Sequence, residues 1–272
     1  MKQRLGRTLV VVILLAAPTA AASPEHVRAR LVADSSRLEP GATVHVGVLL
    51  EMEPGWHVYW RNPGDAGLPT EVTLELPEGL EMGELRWPAP IQFEQPGGLK
   101  AYGYEESVLL ATDVDVAGDI LPDTVAVAAE ATWLACREVC VLGSASLQAG
   151  WPLPVADAAF ERWRSDLPVG DPPFSMSMTG GLAPGVRTGE LTVWLHWPEP
   201  PGDVDLFPDS GASLKVSDVT VQTRGSLTRI DLTVTLLGSG SDRPAGLAAV
   251  AAAGGPTGSR RSWEISIPIS KS

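Results

Sequence analysis

Cys136 and Cys140 are the only cysteines in 272 residues. Any cysteine chemistry is therefore confined to this one pair, whose members are separated by three residues. No C-x-x-C opens a helix, so the chain is not itself a thioredoxin. Basic residues are also scarce: 20 Lys and Arg face 33 Asp and Glu, a formal net charge of −13. Nucleic-acid phosphates require a basic surface, so that partner class is excluded and the acidity reads as solubility. Past residue 22, no apolar run is long enough to cross a bilayer; the best, Ala245 to Ala253, is short and made of small residues. There is no Gly-x-Ser-x-Gly elbow, Ser-His-Asp constellation or phosphate loop, which excludes the common hydrolases and nucleotide enzymes. Twenty-four prolines and 28 glycines leave little room for long helices.

Enough apolar material remains for a folded core, with 44% hydrophobic residues and nine tryptophans. The first 22 residues read as a cleaved export signal. Lys2, Arg4 and Arg7 form a positive start, Leu9 to Ala17 an apolar core, and Ala20-Ala21-Ala22 a cleavage site before Ser23. The expected product is a periplasmic protein of about 250 residues, not embedded in the membrane, in a compartment where disulfides persist.

The rest alternates as short strands. Val44, Val46, Val48 and Leu50 alternate with Thr43, His45 and Gly47, residues 71–76 follow the same period of two more cleanly, and residues 107–116 read as another strand. Residues 124–134 lead directly into Cys136, and Val141 to Ala149 form the return partner. This predicts a hairpin with a three-residue loop and cysteines facing each other, Cα atoms about 4.5–5.5 Å apart, within disulfide reach. Val155 to Asp166 is the one convincing helix, with Val155, Ala159, Phe160 and Trp163 on an apolar stripe. Pro168 ends it, and a Pro/Gly-rich stretch to about Pro184 reads as a linker. Strand patterns resume over residues 191–197, 213–217, 227–237 and 263–269. The expected fold is all-β: an immunoglobulin-like sandwich over residues 23–154, helix and linker over 155–184, and a smaller β domain over 185–272.

The cysteine pair carries the chemistry. A disulfide closing about five residues is worth roughly 2 kcal/mol in the loop-entropy account, little for a chain of this size. Short, accessible disulfides are usually the redox-active kind. Exchange needs a thiolate; Arg137 beside Cys136 favours it and Glu138 opposes it. Gly55 to Pro69 reads as a loop, in which Trp56, His57, Tyr59 and Trp60 are candidates to cap the pair and Asp65 to accept a proton. Tyr102 and Tyr104 form a second candidate loop.

Two other readings stand beside exchange. Copper could be held by Cys136 and Cys140 with His57, or His45, as third ligand, because soft thiolates suit Cu(I). Alternatively, the disulfide merely rigidifies a hairpin in a non-catalytic binding module. Otherwise no cofactor is expected.

Four segments occur here in order: residues 55–69 (GWHVYWRNPGDAGLP), 86–90 (RWPAP), 102–105 (YGYE) and 133–140 (WLACREVC). Together they resemble the periplasmic N-terminal region of DsbD-type thiol:disulfide interchange proteins, in particular the ScsB-like branch. The resemblance is strong from about Pro24 to Pro154 and looser beyond. It implies an immunoglobulin-like domain whose redox-active pair takes electrons from a membrane domain and passes them to periplasmic partners. By position, Cys136 and Cys140 match that pair. The best-known members space these cysteines further apart. Full-length members continue into membrane and thioredoxin-like domains, so here the partners are expected to be separate proteins: a membrane electron donor, thioredoxin-like proteins, or both.

Overall fold

The computed structural model describes residues 26–117, 125–209, 211, 213–237, 244–254 and 260–270. The signal segment, residues 1–22, and Thr124 at the start of one expected strand lie outside these. Seventeen strands and one helix are described. The first ten strands are β1 (Val27–Ala33), β2 (Thr43–Met52), β3 (His57–Gly64), β4 (Glu71–Glu75), β5 (Leu80–Met82), β6 (Ile91–Gln95), β7 (Leu99–Glu105), β8 (Ser107–Val116), β9 (Ala126–Cys136) and β10 (Cys140–Gly150). They form two antiparallel sheets. One has the order β1-β2-β8-β5; the other is β10-β9-β3-β7-β6, with β4 also on β9. The inner faces enclose one core. Val44, Val46, Val48 and Leu50 of β2 meet Val127, Ala129, Ala131, Trp133 and Ala135 of β9 there. Period-two alternation on each strand places these residues on the same side.

Helix α1 (Asp157–Asp166) seals the outside of the first sheet. Phe160, Trp163 and Leu167 pack on Val32, Leu49, Leu109 and Ala111. β2 is therefore buried on both faces, which explains its nearly unbroken run of buried residues. The residue before a proline is pushed out of the helical region, and Leu167, ahead of Pro168, is extended. Val155 departs from the expected stripe: it precedes the helix, bridges to Ala33 and is exposed.

The remaining strands are β11 (Ser175–Gly180), β12 (Thr188–His196), β13 (Val204–Asp209), β14 (Leu214–Arg224), β15 (Leu227–Leu236), β16 (Gly246–Gly254) and β17 (Arg260–Pro268). They form the sheets β11-β12-β15-β14 and β13-β16-β17. β11 falls in the stretch read as linker. Leu247, Ala249, Ala251 and Ala253 of β16 face the core between these two sheets, whereas Val250 and Ala252, with Phe207 of β13, join the core of the first sandwich. The alanine-rich run is thus a strand buried on both sides, and its small side chains allow that close packing.

Two segments read as loops are strands. His57–Gly64 of the Gly55–Pro69 segment is β3, and Tyr102 and Tyr104 lie within β7. Prolines and glycines at the borders conceal both. Inside β7, Gly103 lies so close to β3 that a Cβ there would collide with the Val58 carbonyl, and glycine permits that approach.

Candidate functional site

β9 and β10 pair in register from Ala126↔Gly150 to Cys136↔Cys140, closed by the three residues Arg137, Glu138 and Val139. Arg137 N–H donates to the Val139 carbonyl across this turn at 3.1 Å. A disulfide joins the cysteines, with Cα atoms 4.1 Å apart, slightly closer than expected. The two sulfurs have unequal surroundings. Cys136 is 2% exposed, whereas Cys140 is exposed at the hairpin edge. Val139, next to Cys140, and Leu142, two residues beyond it, are 64% and 70% exposed.

Strand parity decides what surrounds Cys136. Its neighbours Trp133 and Ala135 point into the sandwich core, so Cys136 and Leu134 point outward. His57 is the register partner of Cys136 on β3. Tyr59, two residues on, shares that outer face and packs with Cys136, Ala101, Phe93 and Leu134. The Tyr59 hydroxyl donates to Cys136 Sγ at 3.2 Å. Burial raises the Tyr59 pKa, so the phenol stays a neutral donor. His57 stacks on Phe93 with ring centroids 4.4 Å apart and meets the Tyr59 ring edge-on. Gln95 Nε2 lies 3.4 Å from His57 Nε2. Burial lowers the His57 pKa, so the imidazole next to the disulfide is neutral. Phe93 and Gln95 of β6 are therefore part of the site. Sequence reasoning missed them because Gln92-Phe93-Glu94-Gln95 carries a single apolar residue and no motif.

The other candidates separate by face. Trp56 is buried in the sandwich core; it stacks on His26 at 3.8 Å and lies under the Arg137 guanidinium at 5.6 Å. It anchors the hairpin turn without touching the sulfurs. Trp60 and Tyr102 face the core and contact Phe207 of β13. Burial, with Asp65 and Asp205 nearby, pushes the Tyr102 pKa up to about 12. Tyr104 is buried and donates to the Pro88 carbonyl at 2.7 Å. Asp65 accepts from Lys100 N–H at 3.0 Å, and Glu138 is exposed in the turn. Two residues after Asp65, Gly67 adopts φ +109° against the Tyr59 ring, and a Cβ there would collide with the ring edge. Only glycine combines that φ with that contact.

The two candidate third copper ligands have different surroundings. His57 is enclosed by Phe93, Tyr59 and Gln95. His45 lies under α1, with Nδ1 2.5 Å from Asp34 and Nε2 3.2 Å from Asp113. Among the described residues, no group of three or more His, Cys, Asp or Glu could hold a metal ion.

Residues 28–150 match the family described as thiol:disulfide interchange protein DsbD, N-terminal. This segment is a DsbD N-terminal domain. Among solved structures, the N-terminal periplasmic domain of ScsB from Proteus mirabilis is similar at 20% identity and TM-score 0.64, over 90% of this chain and 94% of that one. That match gives the immunoglobulin-like fold. Two further matches are a conserved domain protein from Bacillus anthracis (10% identity, 90% and 87% coverage) and the collagen binding domain of Erysipelothrix rhusiopathiae surface protein RspB (9%, 90% and 93%). Both have TM-scores of 0.17, too low to bear on this chain. Comparison with curated proteins found no match. The DsbD N-terminal domain thus carries its single disulfide at the edge of the second sheet. No described helix is long and apolar enough to cross a membrane.

Proposed function

We propose that the protein is a periplasmic thiol–disulfide exchange module, relaying reducing equivalents between a membrane or thioredoxin-like partner and other periplasmic proteins. The observation that carries this reading is the asymmetry of the pair: Cys140 exposed, Cys136 buried beneath Tyr59. A partner thiolate attacks Cys140 Sγ. The Cys136–Cys140 bond breaks, a mixed disulfide forms at Cys140, and Cys136 leaves as the thiolate. Tyr59 O–H donates to that sulfur as its charge develops, which favours the anion. The partner's second thiolate then attacks the mixed disulfide and releases the Cys140 thiolate. Two electrons have passed to this chain, whose two sulfurs are now reduced, and the partner leaves as a disulfide. Forwarding them reverses the roles: Cys140 attacks an acceptor's disulfide and Cys136 resolves it.

Val139 and Leu142, close to Cys140 in the chain, are exposed apolar side chains, and such a surface suits docking of a protein over a small thiol. The ScsB structure is described as periplasmic, which supports the same compartment here. The test is trapping. In Cys136→Ser, Cys140 attacks but nothing resolves the mixed disulfide, so a covalent adduct with a thioredoxin-like protein accumulates. In Cys140→Ser, the remaining sulfur is buried and little adduct forms. Equal trapping by the two variants, or none by either, would remove this reading.

A further inference from the structure

We propose that the second pair of sheets clamps the loop that shields Cys136; this rests on the exchange reading for its purpose, although not for its test. The clamp starts at an irregularity in β3. Tyr59 pairs with Gly103 and Gly64 with Ala101, so four residues on β3 oppose the single Tyr102 on β7. Trp60, Arg61, Asn62 and Pro63 bulge out, and the bulge is fastened to β13. Asn62 Nδ2 donates to the Pro208 carbonyl at 2.5 Å, Arg61 pairs with Asp209 at 2.9 Å, and Trp60 meets Phe207 edge-on.

A second tie comes from β7. Lys100 Nζ donates to the Val219 carbonyl on β14 at 2.7 Å. The backbone of that same residue holds the loop after the bulge: Asp65 N–H donates to the Lys100 carbonyl at 2.8 Å, and Lys100 N–H to the Asp65 carboxylate at 3.0 Å. Two residues further on, Gly67 lies on the Tyr59 ring, and Tyr59 covers Cys136. The connection from β13 and β14 to the sulfur is therefore continuous: bulge and Lys100, Asp65, Gly67, Tyr59, Cys136. Bulges next to functional sites re-aim the chain, and this one has its outer end gripped by β13, whose Phe207 shares a core with Trp60.

Arg61, Asn62 and Lys100 are positioning residues, since none touches a sulfur. Releasing them lets the Asp65–Pro69 loop lift and Tyr59 move, which uncovers Cys136. The experiment uses the full chain with Cys140→Ser, which leaves Cys136 as a lone thiol, and follows its reaction with Ellman's reagent. Adding Asn62→Ala and Lys100→Ala should speed that reaction about tenfold, the effect of two lost hydrogen bonds on local opening. The urea midpoint, read alongside, separates loop opening from global loosening. Lys100→Met, which keeps the backbone contacts with Asp65, covers the case in which the double change fails to fold; alone it should speed the reaction about threefold, and Lys100→Arg should restore the slow rate. An unchanged rate in the folded variants overturns the clamp and leaves exchange standing. A faster rate, together with a Cys136–Cys140 pair that resists reduction in the chain with both cysteines, upholds the clamp and removes exchange.

Discussion

The Tyr59 hydroxyl donates to Cys136 Sγ across 3.2 Å, and both groups are buried. A sulfur bearing negative charge accepts that bond more strongly than a disulfide sulfur does. Tyr59→Phe removes the donor and keeps the ring that Gly67 rests on. The reduced form loses more than the oxidised form, by about 1 kcal/mol. The midpoint potential of the pair should become more negative by roughly 20 mV, while the urea midpoint changes little. An unchanged or less negative potential would show that the hydroxyl does not stabilise the reduced sulfur.

His57 supplies a pH dependence. Burial lowers its pKa below 6.5 in the folded protein. Above pH 6.5 the imidazole is neutral in both states and the folded state is unaffected. As pH falls below 6.5, the unfolded chain binds the proton first, and stability declines through the folded pKa. His57→Phe preserves a ring against Phe93 and should flatten the loss of stability on acidification. Urea midpoints of the two proteins between pH 7 and pH 4 (an interval of about three units set by the ordinary His value) check this; parallel curves would place the titrating group elsewhere.

The parity of β3 and β7 was the least legible part of the sequence. β4 alternates visibly, and both β4 and β8 match their expected extents closely. β3 does not alternate polar with apolar, because both faces are covered: Val58 and Trp60 by the core, His57 and Tyr59 by Phe93 and the loop at Gly67. Pro54, Gly55, Pro63 and Gly64 then make it resemble a loop. Without the strand, Trp56, Trp60, Tyr102 and Tyr104 could not be separated from His57 and Tyr59 as neighbours of the disulfide. The hairpin was legible, because alternation on both sides of a three-residue spacing leaves one register. Phe93 was not: β6 joins β7 in a local hairpin across residues 96–98, but Phe93 reaches His57 only because β7 in turn pairs with the distant β3, which no local pattern encodes.

Cys136→Ser/Cys140→Ser together should leave the fold intact. The pair closes a very short loop, so its removal costs only about 2 kcal/mol of chain entropy, and the sandwich core around Trp133 and Ala135 is untouched. Circular dichroism and a urea titration of the double variant check this. Failure to fold at growth temperature would make the disulfide structural.

A redox titration of the Cys136–Cys140 pair, read by thiol alkylation in glutathione buffers, tests the central claim most directly. The account predicts reversible reduction with a midpoint above about −300 mV, the region where structural disulfides lie. A pair that excess glutathione leaves fully oxidised would contradict it.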